Sequence, residues 1–190
     1  MKKSMEELNR LTPEQFAGVS KLPLVVVLDN IRSQHNVGSV FRTSDAFRVG
    51  EILLCGITAT PPNKEIQKTA LGATETVKWA YYENTVDAVQ ELKARGYFII
   101  GIEQTHDSID ISDEKIFFGH EKTALVFGNE VFGIEDPVLE YCNIKVEIPQ
   151  YGTKHSINVS VCAGIVIWEF CRRHGNDNPL IFSASAGNGK

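Results

Sequence analysis

Two kinds of hydrophobic pattern alternate along this chain. Short, mostly apolar runs lie at 24–28, 51–55, 97–102, 123–127 and 144–148. Such runs fit strands buried on both faces of a sheet. A mixed stretch at 74–82 has room for one more strand. Between the runs lie helical patterns. From Asn84 a helix places Val86, Val89 and Leu92 inward and stops at Gly96. Another, capped by Asn36 and running to about 47, turns Val37, Val40, Phe41 and Phe47 inward. Asp136-Pro137 opens a short one. Residues 159–171 form an apolar run too long for an ordinary strand, ending in Arg172-Arg173-His174-Gly175, which suits a helix C-terminus.

Strands alternating with helices predict an α/β fold, a mostly parallel sheet with helices on both faces. The N-terminal piece adds a short amphipathic helix over 4–11. A second helix start follows at Thr12-Pro13-Glu14-Gln15, where Gln15 closes a capping box. The expected division is a helical extension at 1–22, one main domain at 23–174 and a mobile Ser/Gly/Asn-rich tail at 175–190.

Composition narrows the picture. No apolar run reaches the ~18 residues of a membrane span, and no apolar segment follows the lysines near Met1, so the expectation is a cytoplasmic protein without a membrane partner. Cys55, Cys142, Cys162 and Cys171 form no Cys-x-x-Cys pair, and the five histidines have no ligand spacing, so no metal is expected. The net charge of −5 argues against gripping nucleic acid with the whole surface.

Three loops that follow strands carry unusual chemistry. The first contains Asn36, Gly38 and Arg42, whose guanidinium is a planar fork suited to phosphate. The second is Gly128-Asn129-Glu130 with Gly133. The third runs from Ile148-Pro149 through Gln150 and Gly152 to Ser156-Ile157-Asn158-Val159-Ser160. In a parallel α/β sheet, ligands sit beyond the carboxyl ends of the strands, where all three loops would meet. Taken singly each has a plain reading: Ser156 and Asn158 as helix caps, Arg42 as a surface cation, Glu130 as a turn residue. Neither Gly-x-Gly-x-x-Gly after a strand nor a P-loop is present, and Ser156 lacks a Gly-x-Ser-x-Gly setting.

Taken together, these motifs resemble those of the SpoU (TrmH-like) RNA ribose 2′-O-methyltransferases of the SPOUT superfamily, over about 23–174. The resemblance rests on Asn36, Gly38 and Arg42, then Gly128, Glu130 and Gly133, then Ile148-Pro149, Gly152 and Ser156-Ile157-Asn158-Val159-Ser160. It implies a C-terminal deep trefoil knot, S-adenosyl-L-methionine as cofactor, tRNA or rRNA as substrate, and a homodimer with the site near its interface. It implies a cofactor pocket lined by Glu103, Gln104, Thr105, Gly128, Ile148 and Gln150 and closed by Ser156 and Ile157. Many relatives have leucine at the position of Ile157 and methionine at that of Gln150. Arg42 is implied as the catalytic residue, with Asn36, Glu130 and Asn158 positioning the reacting groups. Because arginine is a fixed cation, binding the adjacent phosphate and stabilising the developing alkoxide is a better role for it than acting as a base. Two alternatives stand beside this reading. One is a SPOUT base N-methyltransferase, which the Asn36 and Arg42 pair disfavours. The other is a non-catalytic RNA-binding scaffold. Arg10, Arg32, Arg48, Lys154 and His155 join Arg42 as candidate RNA contacts.

Overall fold

The strand β1 (Leu22–Asp29) divides the molecule into two cores. Its side chains alternate across the sheet. Leu22, Leu24, Val26 and Leu28 enter the larger core, while Val25 and Val27 enter the smaller one on the opposite face. With both faces covered, the strand needs no polar alternation, which explains its unbroken Leu/Val run. The structure, a computed structural model, describes residues 2–4, 7, 10–114, 116 and 120–177.

The other strands are β2 (Val49–Cys55), β3 (Trp79–Tyr82), β4 (Phe98–Ile102), β5 (Ile109–Asp110), β6 (Thr123–Phe127) and β7 (Ile144–Glu147). They form one sheet in the order β3-β2-β1-β6-β4-β7-β5. Every pairing is parallel. All carboxyl ends therefore open on one edge. From β1 the chain first builds outward through β2 and β3. The later strands occupy the other side, so the direction of build reverses between β1 and β6. Clefts form at such reversals.

The helices are α1 (Pro13–Gly18), α2 (Gln34–Ala46), α3 (Lys64–Ala70), α4 (Ala73–Thr76), α5 (Thr85–Ala94), α6 (Asp136–Leu139) and α7 (Val159–Asp177). The larger core receives Val37, Val40 and Phe41 of α2, Ile66 of α3 and Val166, Ile167 and Phe170 of α7. The smaller receives Ala88, Val89 and Leu92 of α5 and Val138 of α6. Helices thus cover both faces. Each fully buried Leu, Ile or Phe contributes roughly 1.5–3 kcal/mol.

The capping box at Thr12 forms as expected, and Phe16 of α1 is buried. The Lys21 ammonium lies 3.1 Å from the centroid of its ring. This piece packs on the main domain through α4. The expected helix at 4–11 falls largely outside the described residues, as does the tail expected at 175–190 from 178 on; its first three residues, 175–177, instead continue α7.

One further expectation needs correction, and three local features go beyond the sequence reading. Ser33, not Asn36, caps α2: its hydroxyl accepts the N–H of Asn36, which occupies the first turn. After the Pro61-Pro62 pair, Asn63 caps α3 by accepting the N–H groups of Glu65 and Ile66. The stretch 74–82 does hold a strand, β3, preceded by the short helix α4. The acidic loop after β4 contains β5, which pairs with β7. That loop is fastened to α7, where Arg173 donates to the carbonyls of Ile111 and Asp113 and is held by Glu169.

Candidate active site

The three motif loops meet at the carboxyl edge of the sheet. The loop after β6 carries Glu130, whose carboxylate accepts the N–H groups of Arg32 at 3.0 Å and Ser33 at 3.1 Å. These lie at the N-terminus of α2, where unpaired N–H groups and the helix dipole favour an anion. Glu130 also accepts from Nδ2 of Asn36 at 3.1 Å. Oδ1 of Asn36 in turn accepts from Nδ2 of Asn158 at 3.1 Å. Oδ1 of Asn158 caps α7, accepting the N–H of Ser160 at 2.9 Å and that of Val161 at 3.4 Å. One hydrogen-bonded chain, Glu130–Asn36–Asn158, therefore joins all three motifs. The anionic end sets the amide orientations, since Glu130 can only accept.

Burial pushes the Glu130 carboxyl up, but the donors around it outweigh that effect. The N–H of Arg32, its own N–H, that of Ser33 and the Asn36 amide together hold it below the ordinary carboxylate value.

Beside this chain lies a cavity of about 440 Å³. Its apolar wall includes Ile102, Phe127, Val146, Ile148 and Val159. Glu103, Gln104, Gly128, Gln150, Ser156 and Ile157, all expected at a cofactor pocket, line it, as do Glu130 and Asn158. Thr105 does not line it; its hydroxyl donates to Asp107 at 2.8 Å. Cys162 also lines it, but burial pushes the thiol up to about 12, which removes it as a nucleophile at neutral pH.

Glycines of the motifs serve close packing. Gly133 has φ +71° and sits against Glu103: a Cβ there would lie 2.3 Å from a carboxylate oxygen. That carboxylate accepts the N–H groups of Ile134 and Gln104, both at 3.0 Å, so it cannot easily move. Gly38 faces α3, where a Cβ would meet the Thr69 hydroxyl at 2.2 Å. Its role in the first motif is thus helix packing.

Arg42 stands apart. It is exposed on α2 and is not among the residues lining the cavity. Six residues along a helix carry it about 9 Å from Asn36 and onto another face. Its side chain makes no hydrogen bond or ion pair among the described residues.

Sequence reasoning missed two residues that hold the edge together. Asn129 donates to the carbonyl of Asn30 at 2.7 Å and accepts the N–H groups of Val131 and Phe132. Asp29, fully buried at the end of β1, accepts from Thr85 at 2.6 Å, from Asn30 at 3.0 Å and from the N–H of Glu135 at 3.1 Å. A buried carboxylate must be met by donors. An aspartate closing an apolar strand was the available signal.

The fold and this edge define a parallel α/β domain with a cavity beyond the carboxyl ends of β4, β6 and β7, walled by the second and third motif loops, with the first motif hydrogen-bonded to its rim. The chain belongs to the SpoU rRNA Methylase family, which matches residues 23–168. It is 36% identical over 155 residues to the 23S rRNA (guanosine-2'-O-)-methyltransferase RlmB of Neisseria meningitidis, over 82% of this chain and 60% of that protein. The chain spans about 60% of the length of the curated relatives it matches. The crystal structure of the A. aeolicus TrmH/SpoU tRNA modifying enzyme is similar with a TM-score of 0.78 at 26% identity, covering 93% of this chain and 87% of that one. An AdoMet-bound rRNA methyltransferase from Sinorhizobium meliloti is similar with a TM-score of 0.73 at 27% identity, covering 87% of this chain and 61% of that one.

Proposed function

We propose that this chain transfers a methyl group from S-adenosyl-L-methionine to a ribose 2′-hydroxyl of tRNA or rRNA. The observation that carries this reading is the Glu130–Asn36–Asn158 chain on the rim of the cavity. The names of the relatives support it: RlmB acts on 23S rRNA, and the Sinorhizobium enzyme was solved with AdoMet.

The lining fits such a cofactor. Apolar walls and nearby backbone groups suit an adenosyl moiety. Glu103, Glu130 and Glu147 bring negative charge to the cavity, which suits a sulfonium. When bound, the cofactor supplies an electrophilic methyl. The chain's own residues do the rest. Ile102, Ile148 and Val159 exclude water from one wall. Asn36 and Asn158, fixed by Glu130, hold the rim and position the sugar. Arg42 neutralises the adjacent phosphate and stabilises the oxyanion that develops at the 2′-oxygen.

Arg42 does not line the cavity of its own protomer, and in this reading it serves the cavity of a second copy. The surface of α7 offers a route. Val161, Ile165 and Trp168 lie one helical turn apart and are exposed, and Phe47 packs on Trp168 with ring centroids 5.8 Å apart. This apolar stripe beside α2 is the contact expected of a twofold homodimer. Such a dimer sets the partner subunit's Arg42 against the cavity. The same reading includes a trefoil knot, in which the loop after β4, fastened by Arg173, surrounds the chain leading to α7. It also divides the chain into an N-terminal extension before β1, a catalytic domain from β1 through α7 and a tail after Asp177. No helix among the described residues is long and apolar enough to cross a membrane, and a cytoplasmic site of action follows from an RNA substrate.

The test is methyl transfer from radiolabelled S-adenosyl-L-methionine to RNA extracted from a strain lacking the gene. The expected product is a 2′-O-methyl nucleotide, which resists alkaline cleavage. A methylated base instead identifies an N-methyltransferase; cofactor binding without transfer identifies a scaffold.

A further inference from the structure

The loop between Asn129 and Gly133 has its polar groups fastened from every side. Asn129 and Gly133 exchange two backbone hydrogen bonds, each 2.9 Å. The Asn129 side chain accepts from Val131 and Phe132 and donates to Asn30, while Glu130 is tied to the start of α2. Yet the two residues at its tip are apolar and face solvent: Val131 is 63% exposed and Phe132 84%. Both line the mouth of the cavity. Among the described residues the Phe132 ring makes no ring–ring or cation–ring contact. A rigid loop thus presents an unpaired aromatic surface next to Glu130 and the asparagines it orients.

We infer that the Phe132 ring is the platform on which the base of the target nucleotide stacks. The inference rests on the ribose methyl-transfer reading and adds to it the group that holds the base. A sugar to be modified must be drawn away from its neighbours, and its base then needs a new stacking partner. The chain carries a net charge of −5, so general phosphate attraction is weak and a non-ionic term matters more. Stacking on an aromatic face tolerates any base. Phe132 therefore contributes grip on the nucleotide rather than sequence choice, with Val131 filling the side of the stack.

The experiment compares wild type with Phe132→Ala, Phe132→Leu and Phe132→Tyr. RNA from a strain lacking the gene is the methyl acceptor, and cofactor affinity is measured by calorimetry. Phe132→Ala and Phe132→Leu are expected to lower kcat/KM for RNA about tenfold, mostly through KM, the scale of one base–aromatic stack. Phe132→Tyr is expected to keep it, and all three to bind cofactor as wild type does. Full activity of Phe132→Ala or Phe132→Leu overturns the inference. So does loss of cofactor affinity, which places the ring on the cofactor, or a changed oligomeric state, which places it in an interface. A wild type that binds cofactor but methylates no ribose sinks the underlying reading, and the stacking role with it; that result is distinct from a working wild type beside an equally working Phe132→Ala.

Discussion

The carboxylate of Glu130 accepts the side-chain N–H of Asn36 at 3.1 Å, across 94 residues of sequence. The same carboxylate closes the N-terminus of α2 by accepting from Arg32 and Ser33. One side chain therefore fixes both the helix and the amide that faces Asn158. Glu130→Gln keeps the shape but turns one acceptor into a donor facing N–H groups. It is expected to destabilise the fold by about 1–3 kcal/mol, read from urea denaturation at pH 7, and to abolish most methyl transfer.

The pH dependence of that loss has a definite sign. Glu130 titrates below its ordinary value of 4.5 in the folded chain. The unfolded chain therefore takes up this proton first as pH falls, and the stabilisation disappears with it. The contribution is complete above about 4.5 and is lost as pH drops through the lower folded value. Urea midpoints of wild type and Glu130→Gln, measured from pH 7 downward, are expected to converge below the ordinary carboxylate range. A gap of constant size across that range contradicts the assignment.

The regular parts of this structure were readable from the chain because local pattern and burial agree there. The run from Leu24 to Leu28 lies within β1, Thr123 and Phe127 bound β6 as expected, and Asn84 caps α5. The misses have physical causes. Asn36 resembles a cap, but Ser33 competes successfully because Glu130, distant in sequence, also claims the start of the helix. α3 and α4 are too short for a clear period, and the two-residue β5 exists only through its partner β7. In the site, residue identities pointed to loops that do come together, and ten of the residues expected there line one cavity or bond to its rim. The position of Arg42 was not legible, since a helix surface residue meets a site only through whatever packs against that surface.

Gly133→Ala tests the close approach of the second loop to Glu103. The φ of +71° already disfavours a side chain, and the added Cβ meets a carboxylate held by two N–H groups. A loss of about 1–3 kcal/mol in stability is expected. Calorimetry is expected to show weakened cofactor binding, because any relief moves Glu103 or Gly128 at the cavity wall. Wild-type affinity in this variant would place the ligand elsewhere.

Trp168→Glu probes the exposed stripe of α7. Trp168 is 54% exposed and touches Phe47 alongside Val161 and Ile165. A charge there has little effect on a monomer but opposes burial between two copies. Sedimentation velocity is expected to show a wild-type dimer and a monomeric variant of nearly unchanged circular dichroism. Methyl transfer is expected to fall with dimer content. An active monomer would refute the need for a second copy.

The sharpest prediction concerns Arg42, because two arrangements give different numbers. Arg42→Ala leaves the cavity intact, so cofactor affinity is expected to match wild type while methyl transfer falls about 10²–10³-fold. Asn158→Ala breaks the rim of the cavity but keeps Arg42. If the guanidinium serves its own protomer's cavity, a mixture of the two inactive variants stays inactive, since neither protomer holds a complete set. If it serves the partner's cavity, each mixed dimer joins an intact cavity to an intact Arg42. Random exchange makes half the dimers mixed, with one working site of two, so about a quarter of wild-type activity is expected to return. With Arg42 exposed on α2 and absent from the cavity of its own chain, recovery is the expected result. An inactive mixture, with exchange verified by mass spectrometry, would return Arg42 to the cavity of its own protomer and refute the shared site.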